Sequence, residues 1–475
     1  MIISAIQFIL NPIFGKFERE EFKKFLRMGI TFTFILGAYW TIRTLKATVF
    51  ITLVGADYQP IAKTFSILLL VPLVMLYTKI LDYYSREKVF YGLSFLYGIA
   101  TLLFAVLLNT KSFGMAESSV IAARTGIEFW GTQILGYLWY VFVESYGSLI
   151  IALFWAIASD TTMPDSAKRG FSLVVALGQV GAIIGPKYIN KLPDFFIHRL
   201  PHMPLLHNPS VAVAVASLMI FCSILFLKYF LTSTPKHLLT SFKGTNEKKV
   251  EKEQEPGVLE GLWLLLEHKY LLGIFAVNFF FEFIVTVFDF HFQKLAALTY
   301  TNQNALGVFM GDYGSAVNAV ALICLLCGVS NITRYLGITV SLCLTPLIIG
   351  GAVFGFTSFD SIHFLFWLMA GSKAINYALN GPALKQLYIP TSHDTRFKAQ
   401  AWIETFGSRA SKEGGAIFNM ILKPLQTKFG PIVGRLYHVT LSSYVGYSFV
   451  IVWFFVALFL GRTFKKAIDE KRVVC

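Results

Sequence analysis

Charged residues are scarce in this 475-residue sequence: they make up 14% of it, against 55% hydrophobic and 16% aromatic residues. The mean hydropathy is +0.62. A soluble globular domain carries about 25% charged residues, so this composition excludes that class and indicates a polytopic membrane protein. The few charges are unbalanced, with a formal net charge of +14. Because lysine and arginine accumulate in the cytoplasmic loops of membrane proteins, this excess does not indicate nucleic-acid binding.

Sequence motifs of hydrolytic and metal sites are also missing. The sequence contains no HExxH, no Ser-His-Asp order and no GxxxxGK[ST] phosphate loop, and its nine histidines lack metal-ligand spacing. The five cysteines fall mostly in apolar runs, and the pair Cys324 and Cys327 lacks the partner ligands of a zinc site. We therefore expect no enzyme, no resident metal or cofactor, and no ATP-driven pump. Of the transport mechanisms, gradient-driven exchange or symport is then the one that remains.

What the sequence has in abundance is long apolar runs. A membrane-spanning helix requires about 20 mostly apolar residues. By this measure we predict twelve spans, at residues 28–54, 61–81, 89–108, 133–158, 169–186, 211–231, 271–291, 306–329, 337–356, 362–380, 396–421 and 443–461. The predicted domains are an amphipathic N-terminal segment (1–27), a six-helix half (28–231), a polar linker (232–257), and a second six-helix half with a basic C-terminal tail (258–475).

Lysine and arginine near the span ends predict which loops of the protein face the cytoplasm. They cluster in the N-terminal segment, in the loop 82–88, in the linker and in the tail 462–472. Both termini and the linker are therefore predicted to be cytoplasmic, in agreement with an even number of spans. The apolar start, 2–13, is followed by a charged run and not by a cleavage site, so we expect the first span to serve as the targeting signal. A bacterial inner membrane is the expected location, and an organellar membrane stays open.

Two groups of six spans joined by a basic linker resemble the major facilitator architecture, in which two parallel six-helix halves enclose a midplane site. The loop DYYSREKV, which begins at Asp82, resembles the charged loop that recurs in that superfamily between its second and third helices. A weaker match to the same loop, GVSNITRYLG from Gly328, lies at the equivalent place in the second half, between spans eight and nine. The predicted fold is an all-α membrane protein of about 12 transmembrane helices in two six-helix halves.

Ionisable residues inside the spans are the strongest functional signal. Arg43 and Lys46 lie three residues apart in the first span, hence on one helix face. A cation near the bilayer centre costs about 2.5–3.5 kcal/mol, so such a span turns its cations toward protein or water. For Arg43, snorkelling to the interface is an equally good interpretation. Glu144 lies in the middle of the fourth span.

The second half carries its own set of ionisable residues. They are Glu282 and Asp289 in the seventh span, Lys385 at the end of the tenth, and Lys398, Glu404, Arg409, Lys412 and Glu413 along the eleventh. Several cations beside a few carboxylates suit a phosphate-bearing anion. The alternative is that Lys-Glu pairs only hold helices together. For Asp289 and Lys294, near a span end, we expect interfacial solvation.

Four stretches of this sequence resemble the ATP/ADP translocase family of obligate intracellular bacteria and plastids. They are RTLKATVF at Arg43, YVFVESYGS around Glu144, SDTTMPDSAKR at Ser159, and KQLYIPTSHDTRFKAQAWIETFGSRASKEGG from Lys385. The resemblance implies nucleotide exchange, with Lys46, Glu144 and Lys412 at the family's functional positions. It also implies that Glu282 is the seventh-helix acid, although Asp289 remains possible.

The sequence departs from the family pattern near these positions. The family's acid after the first-helix lysine is Ala47 here, its acid after Lys385 is Gln386, and the serine of its last motif is Glu413. The substrate therefore remains open among ATP/ADP exchange, nucleotide-proton symport and NAD uptake.

The resulting hypothesis is a secondary transporter that exchanges ATP for ADP, or another nucleotide, by alternating access. Its candidate binding residues are Arg43, Lys46, Glu144, Glu282, Lys385 and Lys412. The expected partners are a nucleotide and the lipid bilayer, and the expected state is a monomer. A proton-coupled carrier of another organic anion or a peptide is the alternative, and a non-transporting receptor or scaffold is a third.

Overall fold

The structure is a computed structural model in which residues 17–239, 263, 265–326, 336–359, 361–391, 400, 402–403, 407–470 and 472–474 are described. Within these ranges the chain forms helices and connecting turns and no β-strand. The described ranges contain twelve α-helices of 13 or more residues, which we label α1 to α12: Arg19–Leu53, Gln59–Tyr83, Arg86–Leu108, Gly126–Asp160, Pro164–Ile184, Ser210–Ser233, Lys269–Thr299, Gln303–Leu326, Ile338–Ser358, Ile362–Ile375, Ser408–Met420 and Pro431–Asp469.

Ten of the described helices are long and apolar enough to cross a membrane, and they coincide with predicted spans one to nine and twelve. The tenth prediction, 362–380, is α10 continued by the π-helical segment Asn376–Asn380 and the short helix Gly381–Leu387. The eleventh, 396–421, falls partly outside the described residues, and α11 is the main described part of it. The all-helical membrane fold predicted from hydropathy is thereby confirmed.

The predicted amphipathic segment, 1–27, is described from residue 17 onward, where it runs without a break into α1. Phe22 and Phe25 on its apolar face are fully buried. Lys24 is buried as well, and its Nζ donates a hydrogen bond to the Thr161 carbonyl oxygen at 2.6 Å. The described part of this segment therefore packs against protein on its apolar face.

Packing divides the described chain into two compact units. Unit 1 comprises the described residues of Met1–Ala56, Leu68–Glu247 and Ala297–Ala319, and unit 2 comprises those of Asp57–Ile67, Lys248–Ala296 and Val320–Cys475. Helix α2 therefore begins in unit 2 and continues in unit 1, while α8 begins in unit 1 and continues in unit 2. Most of the predicted linker, 232–257, and the loop from Gly328 lie outside the described residues.

Helix α1 forms the centre of unit 1, where it packs on α4, α5 and α6. It approaches α5 closely because α5 presents glycine: a Cβ at Gly181 would lie 2.1 Å from the Thr33 carbonyl oxygen. Thr33 also donates a hydrogen bond from Oγ1 to the Leu177 carbonyl oxygen at 2.9 Å. Small residues at membrane helix interfaces permit such backbone contact and the van der Waals packing that replaces a hydrophobic driving force there.

We expect Gly181→Ala to lower the thermal unfolding midpoint of the purified protein. The added methyl group meets backbone on α1, which cannot rotate away, so the loss should reach at least about 1–3 kcal/mol. The matched control is Gly92→Ala on α3, where a Cβ would meet nothing within 4 Å. That control should keep or raise the midpoint, because alanine favours a helix by up to about 1 kcal/mol over glycine. An unchanged midpoint for Gly181→Ala would contradict the close approach.

In unit 2, α12 packs along α9 and contacts α7 through two histidines. The ring nitrogens His438 Nδ1 and His291 Nε2 lie 3.0 Å apart, and both side chains are buried. The hydroxyl of Ser442 lies 3.2 Å from His291 Nε2, and His438 Nε2 lies 3.3 Å from the Phe418 carbonyl oxygen. Buried polar groups are tolerated when they find such partners, and here the partners join the two helices.

Helix α2 presents an exposed apolar surface. Only 12% of its most apolar stretch is buried, and Leu68, Met75 and Leu76 are exposed. A contiguous apolar face of this length is the surface that a bilayer covers.

Candidate functional site

In unit 1, α1 and α4 bring Lys46 and Glu144 together. Lys46 Nζ donates a hydrogen bond to Glu144 Oε1 and lies 4.2 Å from the centre of the Tyr140 ring. The Lys46 side chain is 15% exposed, while that of Glu144 is 37% exposed. The lysine is thus held between an acid and an aromatic face, and its carboxylate partner remains accessible.

Arg43 lies one turn before Lys46 on α1. Its guanidinium donates a hydrogen bond to the Tyr39 hydroxyl at 2.7 Å and sits 4.7 Å from the centre of the Trp40 ring. Contact between a guanidinium and aromatic faces stabilises the cation by about 0.5–2 kcal/mol. Arg43 thus contacts two aromatic side chains of its own helix.

In unit 2, α7 and α11 bring Glu282 and Lys412 together. Lys412 Nζ lies 3.3 Å from Glu282 Oε1, and the Ser408 hydroxyl donates to the same oxygen at 3.2 Å. Ser408 and Lys412 are one helical turn apart, so both reach the same carboxylate from one face of α11. Among the described residues, each unit therefore holds one Lys-Glu pair formed between two helices.

The remaining ionisable residues of the second half lie elsewhere in the chain. Lys385 lies on the short helix Gly381–Leu387 and is exposed. Among the described residues no ion pair joins it to another candidate. Lys398 and Glu404 lie outside the described residues. Glu413, next to Lys412, accepts a hydrogen bond from the Thr64 hydroxyl in unit 2.

The expectation of interfacial solvation for Asp289 and Lys294 is wrong. Asp289 Oδ1 accepts a hydrogen bond from Lys373 Nζ at 2.6 Å, and its Oδ2 accepts one from Gln293 at 2.7 Å. Lys294 is buried and pairs with Asp57. A position near a span end did not imply contact with water, because neighbouring helices cover both side chains.

Lys373 is a residue that sequence reasoning missed. It lies inside the predicted tenth span, so a complete count of charges in that span would have found it. Its side chain is 16% exposed and that of Asp289 is 23% exposed, so this pair is less accessible than Lys412–Glu282. Lys63, near an end of the predicted second span, also has a protein partner: its Nζ donates to the Thr286 hydroxyl at 3.1 Å in unit 2.

Chemically, this arrangement offers ammonium donors to an anion. No cluster of three or more His, Cys, Asp or Glu with metal-binding geometry occurs in the part of the chain that is described. A paired lysine donates three N–H groups and a glutamate accepts them, so the pair is neutral when empty. An incoming phosphate competes with the carboxylate for the same ammonium.

Solved structures of transporters share this fold. A bacterial homologue of the human lysosomal transporter Spinster has a TM-score of 0.57 at 13% identity, covering 94% of this chain and 98% of its own. The peptide transporter POT has a TM-score of 0.58 at 10% identity, covering 93% and 95%. The protein therefore has a major facilitator-like fold.

Sequence similarity to known carriers extends along almost the whole chain. ADP,ATP carrier protein 1 of Rickettsia conorii is 26% identical over 499 residues, which cover 97% of each chain. The chloroplastic ADP,ATP carrier protein 2 of Arabidopsis thaliana is 22% identical over 467 residues, which cover 88% of this chain and 72% of that protein. The family described as TLC ATP/ADP transporter matches residues 6–367. The chain therefore belongs to the TLC ATP/ADP transporter family, as a multi-pass membrane transport protein and not an enzyme.

Proposed function

We propose that this protein exchanges ATP for ADP across a membrane by alternating access. The observation that carries the proposal is the Lys-Glu pair in each unit, Lys46 with Glu144 and Lys412 with Glu282, on helices of the membrane-spanning fold. Membership of the ATP/ADP transporter family supports the choice of a nucleotide as the substrate.

Phosphate groups explain why the pairs contain lysine. A nucleotide that leaves water loses the hydration of its phosphates, and ammonium or guanidinium donors replace it with short, charge-assisted hydrogen bonds. We propose that phosphates displace Glu144 from Lys46 and Glu282 from Lys412, and that Arg43 adds a forked donor beside Lys46. Lys385, which is exposed, adds charge of the same sign.

The same exchange of partners can couple substrate binding to a conformational change. A ligand shifts a two-state equilibrium only by its difference in affinity for the two states. Phosphate-lysine contacts that form in one state and revert to Lys-Glu pairs in the other supply such a difference, of about 1–3 kcal/mol. If the empty carrier, with its Lys-Glu pairs formed, does not change between its two orientations, it can return only with a second nucleotide bound. Transport is then an exchange of nucleotides.

The proposed orientation rests on the distribution of charge. Lysine and arginine concentrated in the N-terminal segment, the linker and the C-terminal tail support cytoplasmic termini. We propose a bacterial inner membrane as the location.

The exchange reaction is tested with intact bacterial cells that express the protein. Uptake of radiolabelled ATP should rise severalfold when the cells contain preloaded ADP, because internal ADP returns the carrier to the outside. A carrier with proton symport, for a nucleotide or NAD, would instead respond to an uncoupler and not to internal ADP. Uptake should be measured in parallel for GTP, UTP, NAD and inorganic phosphate. Failure of every nucleotide would overturn the proposal in favour of a proton-coupled carrier of another organic anion or a peptide.

A further inference from the structure

Unit 1 contains a cavity of about 400 Å³ that is separate from the Lys46–Glu144 pair. It is lined by the last residues of α1, the first turns of α4, the end of α7 and the start of α8, all of which belong to unit 1. Neither Lys46 nor Glu144 lines it. Ile51, the first lining residue on α1, lies five residues beyond Lys46, or about 7.5 Å along the helix axis. In the orientation proposed above, these helix ends face the extracytoplasmic side.

The cavity is lined by one charged side chain among the described residues, that of Arg124. Arg124 is only 6% exposed. Its Nη1 donates to the Thr132 hydroxyl at 2.9 Å and its Nη2 to the Lys111 carbonyl oxygen at 3.0 Å. Its Nε is buried and makes no hydrogen bond to the described residues. A guanidinium carries five N–H donors, so up to three of them remain for a ligand.

The surroundings of Arg124 favour an anion. Helix α4 begins at Gly126, two residues later, and its cap residue Thr125 makes no side-chain capping hydrogen bond. The first N–H groups of this 35-residue helix therefore add positive partial charge near the guanidinium. Burial lowers the pKa of Arg124 from its ordinary value, whereas the neighbouring Glu128 raises it. Glu128 itself is exposed.

We infer that this cavity binds a phosphate-type oxyanion at Arg124, apart from the Lys46–Glu144 pair. A tetrahedral oxyanion supplies the acceptors that the remaining guanidinium donors lack, in the planar, forked geometry that arginine prefers. Gln133 and Tyr300 also line the cavity, and their N–H and O–H groups are donors for the other oxygens. The oxyanion is either free inorganic phosphate or the phosphate tail of a nucleotide. Only the second source rests on the proposed function.

The test uses the full-length protein purified in detergent, with inorganic phosphate as the probe and potassium chloride of equal ionic strength as the reference. Phosphate should raise the thermal unfolding midpoint saturably, because a ligand that binds only the folded state stabilises it by mass action. Arg124→Gln should weaken the apparent phosphate affinity at least about tenfold, the loss expected for a charge-assisted contact. The matched control is Arg199→Gln, which removes the same charge from an exposed position outside the cavity lining. It should change the affinity less than about twofold.

Two further variants test whether phosphate binds in this cavity or at the Lys46–Glu144 pair. Ala122→Phe, made in the Lys46→Ala protein, fills the cavity from its lining at a residue that neither hydrogen bond of Arg124 uses. It should abolish the remaining phosphate response even if Arg124→Gln folds poorly. Lys46→Ala should retain the response, because the two sites are separate. In the Lys46→Ala protein, competition between ATP and phosphate would identify the nucleotide tail as the occupant, and independence would identify free phosphate.

The inference is overturned by either of two results. One is a wild-type protein whose unfolding midpoint does not respond saturably to phosphate. The other is a response that disappears in Lys46→Ala, or one that survives when Ala122→Phe is combined with Lys46→Ala. Neither result depends on ATP/ADP exchange, so the inference and the proposed function can fail independently.

Discussion

Lys46→Ala is expected to lower nucleotide exchange by about 10- to 150-fold, the factor that corresponds to losing one charge-assisted contact of about 1.5–3 kcal/mol. The variant also leaves Glu144 without the ammonium that it now contacts. Breaking a fully buried ion pair costs about 3–5 kcal/mol of stability, but Glu144 is 37% exposed, so we expect a smaller loss. Exchange per molecule of inserted protein is therefore the measurement, with the amount of protein in the membrane determined by immunoblot.

Two variants separate binding from folding. Lys46→Met combined with Glu144→Leu removes the whole pair, so it should recover inserted protein without recovering exchange. Lys23→Ala is the matched control on the same helix, because Lys23 forms a surface pair with Glu20 at 2.6 Å. Surface pairs of this kind contribute about 0–1 kcal/mol, so exchange should change little. Recovery of exchange in the double variant would contradict a binding role for Lys46.

Asp289→Asn is expected to destabilise the protein, whereas Glu282→Gln is expected to reduce exchange. Asp289 contacts Lys373 and Gln293 in a pair that is largely covered by protein. Neutralising it leaves the Lys373 ammonium in poorly hydrated surroundings, with a loss of stability that approaches about 3–5 kcal/mol. Glu282 contacts the more exposed Lys412, and glutamine retains an oxygen for Ser408, so the fold should tolerate the change.

The thermal unfolding midpoint and the exchange rate per molecule distinguish these two outcomes. Both substitutions are carboxylate to amide on α7, seven residues apart, so each is the control for the other. For Asp289→Asn we expect a lower midpoint with exchange retained. For Glu282→Gln we expect an unchanged midpoint with reduced exchange. The opposite result would make Asp289 the functional acid of this helix and Glu282 a structural partner.

Among the described residues, four Lys-carboxylate pairs join α1 or α7 to another part of the chain, and they differ in exposure. Lys373–Asp289 is the most covered of them, with side chains that are 16% and 23% exposed. Each of the other three includes one side chain that is 37–42% exposed: Glu144, Lys412 and Asp57. A substrate can reach only a pair that is accessible, and Lys46–Glu144 and Lys412–Glu282 are the accessible pairs that the family resemblance singles out.

The membrane fold could be predicted from the sequence because hydropathy is a local property. Ten predicted spans coincide with suitable helices, and the span predicted at 362–380 is helical throughout, as α10 and the π-helical segment that follows it. The presence of cations and acids inside spans could be predicted for the same reason. The census of charges within spans nevertheless missed Lys373.

The pairing of those charges was decided only by the tertiary structure. Lys46 and Glu144 are 98 residues apart in the chain, and their contact depends on how α1 and α4 rotate and pack. The packing of α1 on α5 likewise depends on Gly181, whose missing side chain sets how closely the two backbones approach. The burial of Arg124 next to a cavity likewise depends on four helix ends that are distant in sequence.

The sequence by itself thus determined the number and length of the apolar runs, the charges that they contain and the family to which the chain belongs. The tertiary structure decided which cation meets which carboxylate, which pairs stay accessible, and which unit holds the start of α2 and of α8. Hydropathy acts along the chain and can be summed residue by residue. Electrostatic pairing acts across space at about 3 Å, and it exists only once side chains from distant segments are packed together.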